Sequence, residues 1–175
     1  MTILTRTPAN PNFLQPEGFI IAIRRLPTTT YFSQQVYIPG FATQATAQPT
    51  PFVKLPIPGD HIEFEDLSFT FKIDENMQNF MEIYNWMQGI GYPDDFQQYA
   101  DLKTAGKIVP DTGVYSDISV IITTNLKNPN VEFLFKNAFP VSIAGFTLDT
   151  TDANITELST TVTFKYEKYD IQLVN

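Results

Sequence analysis

Imidazole chemistry in this chain rests on one residue, His61. A hydrolytic triad built on it would need an orienting carboxylate and an activated Ser or Thr within reach. No Gly-x-Ser-x-Gly elbow is present, so His61 reads as a structural residue beside a turn. Three acids follow closely, Glu63, Glu65 and Asp66, and paired carboxylates can hold a hard cation or hydrolyse a glycoside. Their spacing lacks the ordered ligand pattern of a calcium loop, so a solvated charge cluster is expected. Asp94-Asp95 is an equally weak metal signal. Gly89-Ile90-Gly91 follows a helical pattern rather than opening one, which makes it a helix stop and not a dinucleotide fingerprint. Asn154-Ile155-Thr156 matches the glycosylation sequon, a match without consequence unless the chain is secreted.

Composition narrows the chemistry further. With no Cys there is no thiolate nucleophile, no disulfide and no cysteine-bearing zinc site, and no cofactor is expected. A net charge of −8 argues against a chain that grips nucleic acid, because phosphate binding needs clustered Lys and Arg. The opening Met1-Thr2-Ile3-Leu4-Thr5-Arg6-Thr7-Pro8 lacks the long apolar core of a signal peptide. No run of about 18 apolar residues is present to span a bilayer. The expectation is a product soluble in the cytoplasm where it is made, with no membrane insertion. Fifteen Phe and eight Tyr against one Trp suit pleated, half-buried surfaces and tilt the fold toward β. At 175 residues and 43% hydrophobic, one domain over residues 1–175 is expected.

The elements follow from periodicity. Residues 1–17 read as an extended N-terminal arm, with Phe13 and Leu14 apolar enough to dock it on its own domain or on a neighbour. Gly18–Arg25 and Tyr31–Ile38 read as strands that together make a hairpin. Residues 41–58 carry Pro49, Pro51, Pro56 and Pro58, which excludes a central strand and predicts a long, stiff loop or edge strand. Phe52, Val53, Leu55 and Ile57 are too many apolar residues for a solvated loop and mark an intersubunit contact. Pro58-Gly59-Asp60 reads as a turn. Leu67, Phe69, Phe71 and Ile73 alternate with polar residues, the period of a half-buried strand. Met77, Phe80, Met81, Tyr84 and Met87 then take up helical spacing, which predicts one helix over 76–88 with Asp74 as N-cap and a second apolar flank at Ile83 and Trp86. A short helical turn through Phe96 and Tyr99 is followed by strands at Ser116–Thr124, Val131–Lys136, Val141–Leu148 and Leu158–Ile171.

In this order, Pro39-Gly40, Ile57-Pro58-Gly59-Asp60, the run from Phe64 to Phe71, Asp74-Glu75, Phe80 to Trp86 and the closing strand from Thr161 to Glu167 make a distinct pattern. It resembles the tail-tube family of contractile-tailed bacteriophages. The resemblance implies a mainly β (α+β) fold of two packed antiparallel sheets, a β-barrel-like sandwich, with one flanking helix. It also implies a virion tail protein that is not an enzyme, assembled in the bacterial cytoplasm into stacked hexameric rings with a shared β-barrel wall. The implied partners are other copies of itself, the tail sheath, the baseplate and terminator proteins, with DNA passing through the lumen without sticking. Self-association is expected along the strand edges from Leu67 to Ile73 and the closing strand, and the 41–58 segment is expected to reach the next ring.

Two departures, the Asn-Pro-Asn-Phe-Leu arm and the Tyr92–Gln98 insert, leave open whether this is the repeating tube subunit or a related initiator or terminator ring. A carbohydrate-binding β-sandwich of a host-recognition appendage is a further reading drawn from the aromatic count, and an enzyme is the weakest.

Overall fold

The computed structural model describes residues 12–91, 94–108, 113–151 and 157–174. Its framework starts from the alternating run. β5 (Leu67–Lys72) buries Leu67, Phe69 and Phe71 and turns Ser68, Thr70 and Lys72 outward, the two-residue period read from the sequence. It lies between β2 (Ser33–Tyr37) and β8 (Ser159–Lys165), antiparallel to both. Both edges of β5 are therefore occupied, and the expected self-association along Leu67 to Ile73 is corrected.

The two strands expected as an early hairpin do not pair. β1 (Phe19–Ile23) joins β6 (Ser116–Thr123), while β2 joins β5. A one-turn helix, α1 (Pro27–Tyr31), with Pro27 at its first turn, carries the chain from one to the other. The two strands expected at Val131–Lys136 and Val141–Leu148 are one, β7 (Pro129–Ile143). It bends at Asn137, whose φ of 54° is a left-handed conformation that Asn tolerates. The Asn137 N–H bonds Asp117 Oδ1 at 3.0 Å and its amide donates to Glu167 Oε2 at 2.6 Å, which fixes the bend. The single closing strand expected over Leu158–Ile171 breaks at Tyr166-Glu167 into β8 and β9 (Lys168–Leu173). β8 lies between β5 and β7 and so has no free edge, while β9 pairs β7.

Because β7 bends, it serves two sheet halves. Its first half pairs with β6 and β9, extending to β1; its second half pairs with β8, extending through β5 to β2. The halves face each other across one core in which Ile21, Ile118, Val120 and Phe135 meet Phe69, Phe71, Val162 and Phe164. Phe69 stacks on Phe164 at 5.4 Å between centroids with 10° between planes, and full burial of each such ring contributes about 1.5–3 kcal/mol.

α2 (Gln78–Gly91) closes one side of this core. Its buried residues are Asn79, Ile83, Trp86 and Gly89, so the flank at Ile83 and Trp86 faces inward, and Met77, Met81 and Tyr84 of the expected stripe are exposed. Trp86 decides the side: the largest side chain lies against Phe164, and its Nε1–H donates to the Val114 carbonyl at 3.0 Å. Gly89 does not stop the helix. It brings α2 against Leu102, whose Cδ2 would lie 3.2 Å from any added Cβ. Leu102 belongs to α3 (Phe96–Ile108), a full helix where only a short turn was expected. Asp95 Oδ1 caps it, accepting the N–H groups of Gln97 and Gln98 at 2.9 and 3.3 Å. Among the described residues three helices therefore stand where one was expected, and none of them is long and apolar enough to cross a membrane.

Asp74 is not the N-cap of α2. Its carbonyl accepts the Met77 N–H, and the junction is held by buried Asn79 instead. Asn79 Oδ1 accepts the N–H groups of Asp74 and Phe80, Nδ2 donates to the Lys72 carbonyl at 2.7 Å, and its own carbonyl accepts the Thr29 hydroxyl at 3.1 Å. Asn79→Ala keeps the backbone bond to Thr29 but leaves the part-buried Asp74 and Phe80 N–H groups and the Lys72 carbonyl without their side-chain partner, at about 1–3 kcal/mol, and thermal unfolding followed by circular dichroism is expected to move down by several degrees. An unchanged midpoint would show that water replaces the amide.

Candidate functional site

One element has no place in the core. β3 (Phe41–Pro49) and β4 (Lys54–Phe64) form a separate two-stranded antiparallel sheet, every residue of β3 is exposed, and β4 is nearly so. The stretch expected as a stiff loop or edge strand is thus a hairpin. Its prolines are accommodated because a two-stranded sheet has no interior strand. At about 3.3 Å per residue, β4 extends roughly 35 Å, and an isolated hairpin of this kind is marginal in water. Gly59 is not in a chain reversal. It lies in a bulge where Gly59, Asp60 and His61 stand opposite Gln44, and a Cβ on it would lie 2.3 Å from the Gln44 carbonyl oxygen. Only glycine allows that approach.

The hairpin is anchored at its root. Phe41 and Phe64 pack on Tyr169, with Phe64 also on Tyr166. Between the root and β5 lies Glu65, whose Oε2 accepts the Tyr37 hydroxyl at 2.7 Å and the Gly40 N–H at 3.1 Å, while its carbonyl accepts the Tyr166 hydroxyl at 2.7 Å. The Tyr37 and Gly40 bonds hold the Glu65 carboxyl below the usual carboxylate range, and the same contact raises Tyr37. A depressed carboxyl stabilises the folded form above its unfolded pKa and loses that contribution as pH falls through the folded value. Amide exchange at the hairpin root, taken relative to the intrinsic rate at each pH, is therefore expected to quicken on acidification into and below the ordinary Glu range. Glu65→Gln should quicken it at neutral pH and flatten this pH dependence, and a root that exchanges alike in both proteins at all pH values would remove the latch.

The sequence carries a family signal over this whole arrangement. The sequence profile described as phage tail tube protein matches residues 27–172. The chain belongs to the phage tail tube protein family. Solved structures agree at the level of fold. The tube-terminating cap of the anti-feeding prophage superposes with a TM-score of 0.64 at 15% identity, covering 99% of the tube-family chain and 100% of the other. The sheath–tube complex of the PVC extracellular contractile injection system, in its extended state, gives 0.61 at 12% identity, covering 99% of each chain. Its sheath/tube terminator gives 0.61 at 12%, covering 93% and 99%. A sequence comparison with curated proteins finds no match. The family is structural, in line with the non-enzymatic reading.

In this tube protein the residues with chemical potential are dispersed. His61 Nδ1 meets only its neighbour Asp60, at 2.5 Å, on the exposed bulge. Glu63 accepts from Gln44, Glu65 from the root, and Asp66 pairs Lys165 at 3.3 Å. Among the described residues no three His, Cys, Asp or Glu side chains gather as a metal-binding group. The sequon and the first eleven residues of the arm lie outside the described residues.

The six residues proposed for self-assembly fall into two places. Phe52 and Val53 occupy the hairpin tip, with Leu55 and Ile57 following on β4, and all four are exposed, Phe52 at 97%. Phe13, 92% exposed, and Leu14 lie instead beside the β6–β7 turn. Sequence reasoning missed Leu126 in that turn, the exposed Met77 just before α2 with Met81 and Tyr84 on it, and Ile171 and Leu173 at the end of β9. An apolar residue inside Asn-Leu-Lys-Asn-Pro-Asn was a usable signal for Leu126. The β9 pair was hidden by reading β8 and β9 as one strand.

Among the described residues the larger sheet ends in strands with one partner each: β1 pairs only β6, β9 only β7 and β2 only β5. β1 reads Phe-Ile-Ile-Ala-Ile, without the charge or proline by which solitary proteins protect an edge.

Proposed function

We propose that this chain is a tail tube subunit that joins copies of itself head to tail into a closed hexameric ring, and that rings stack through the β3–β4 hairpin. The observation that carries the reading is the hairpin: a long, apolar element anchored at its root and left uncovered beyond it by the described residues. The open edges support ring closure. Strand directions alternate from β1 through β6 and β7 to β9, so β9 of one copy laid beside β1 of the next continues the antiparallel alternation. Such a heterologous joint closes when the rotation per copy suits it.

The sheet so continued turns Asp117, Glu132 and Asp170 to its solvent face together with Arg24, Lys136 and Lys168. Three acids offset three bases, and Lys136 meets Asp170 at 2.7 Å. If this face lines the lumen, DNA passes a wall whose charges are paired rather than one that is uniformly acidic. In this reading the sheath, the baseplate and a terminator are the outer partners, and assembly takes place in the host cytoplasm before the subunit enters the tail.

Negative-stain microscopy of the purified protein at high concentration tests the reading. Long hollow tubes are expected. Isolated rings that never stack would assign the chain to an initiator or terminator ring, and persistent monomers would overturn both.

A further inference from the structure

We propose that the hollow between the N-terminal segment and the β6–β7 turn receives the hairpin tip, residues 50–53, of a second copy of this chain. The inference rests on the stacking reading above and adds the surface that accepts the hairpin.

The hollow, about 440 Å³, is lined by residues that include Asn12, Phe13, Thr123, Leu126, Asn128 and Asn130, none of them charged. The hairpin matches it in kind. From Phe41 to Val53 the sequence holds no charged residue, in a chain with a net charge of −8. Bringing two acidic copies together is opposed by like-charge repulsion, and a contact between two neutral patches meets that opposition least. The apolar groups match as well. Phe52 and Phe13 are the two most exposed large apolar side chains among the described residues, and Leu126 is 82% exposed. A ring seated between Phe13 and Leu126 would remove all three from water at once.

The polar groups are complementary too. Pro49 and Pro51 carry no N–H, and the N–H groups of Thr50 and Val53 are already bonded across the turn. What the tip offers is mostly carbonyl oxygen, which amide donors from Asn125, Asn128 and Asn130 on the rim can meet. Thr123 adds an independent sign. Its hydroxyl, on the wall of the hollow, is buried without a hydrogen-bond partner, pressed against Gly18 so closely that a Cβ there would lie 2.5 Å from it. A buried hydroxyl left unmet is rare enough in a folded chain to call for an explanation, and a water or a partner group reaching this wall would supply one.

The chain has no cysteine, so a single engineered pair reports the contact without background. Phe52→Cys in one copy and Leu126→Cys in a size-tagged second copy are mixed, assembled and oxidised. Folding of each is checked by circular dichroism, and assembly by microscopy. Docking raises the local thiol concentration, so the mixed disulfide is expected at about tenfold or more over either self-pair. Leu126→Asp, which puts a charge into the neutral patch, is expected to leave rings intact and abolish stacking. Tubes that form without the mixed disulfide and tolerate Leu126→Asp would overturn the proposed acceptor while leaving stacking in place. If the unmodified protein never assembles, the stacking reading fails and this inference fails with it.

Discussion

Replacing Trp86 with alanine is expected to lower stability by about 3–5 kcal/mol, the range for emptying a buried aromatic site. That is a large part of the roughly 5–15 kcal/mol that holds a folded domain together. Three contacts leave with the ring. The indole lies 5.9 Å from the Phe164 ring at the centre of the second sheet half, so its removal opens the core between α2 and β8. Its Nε1–H bond to the Val114 carbonyl is lost, which frees the segment leading into β6. The Arg25 guanidinium, 4.8 Å from the ring centroid, loses its aromatic cover while still held by the Gly113 carbonyl at 2.7 Å. Burial already pushes the Arg25 pKa down to about 10, and losing the ring removes an attraction that offsets part of that burial. Trp86→Phe keeps most of the apolar area and loses the hydrogen bond, and its cost should be much smaller. Unfolding of both variants followed by far-ultraviolet circular dichroism gives the order Ala far below Phe, and Phe below wild type. The wild-type curve can also be followed by fluorescence, since Trp86 is the only tryptophan. If alanine and phenylalanine behaved alike, the ring would be filling surface and not core.

How far this fold is legible from its sequence depends on whether a residue's role is set locally. β5 is legible because every second residue is apolar and the strand is covered on one face only. The inward flank of α2 is not, because the helix is apolar on two sides, and the choice between Met77-Met81-Tyr84 and Ile83-Trp86 is made by the shape of the core it meets. α3 is hidden for the opposite reason: apart from Leu102 it buries little, so periodicity carries no signal, and the Asp95 cap is a subtler mark. Strand partners are set by distant chain, and the pairing of β1 with β6 cannot be read from adjacency. The prolines of 41–58 do exclude an interior strand, but a strand with no interior neighbour satisfies the same rule, and that is what forms. For the candidate site, chemical type was legible and location was not. The apolar excess at Phe52 to Ile57 pointed to a contact, while the open edges at β1, β2 and β9 emerge only once the strand order of the whole sheet is known.

Those edges make the sharpest assembly test, because ladder geometry separates two neighbouring residues. The Val174 N–H bonds the Asn130 carbonyl at 2.9 Å, and Leu173 stands opposite Val131. In an antiparallel ladder the bonding direction alternates, so the N–H of Gln172 points at β7 and those of Ile171 and Leu173 point to the open edge. On β1 the Thr123 N–H bonds the Gly18 carbonyl at 2.9 Å with Phe19 opposite Ile122. By the same alternation Phe19 and Ile21 present their backbone groups outward, while the Ile23 carbonyl accepts the Leu26 N–H at 3.1 Å. Ile171→Pro removes an outward donor and sets a proline ring at the joint, leaving the β7 ladder intact. Gln172→Pro removes a donor from the ladder itself. The first is expected to keep nearly the wild-type melting temperature and lose ring formation, since a bond of about 1 kcal/mol net is lost at every joint and the ring clashes with the incoming strand. The second is expected to destabilise the monomer. Sedimentation and melting curves on both variants separate the effects. Rings assembled by Ile171→Pro at the wild-type concentration threshold would show that β9 is not the joint, and would move ring closure to the exposed flank of α2 or to the hairpin.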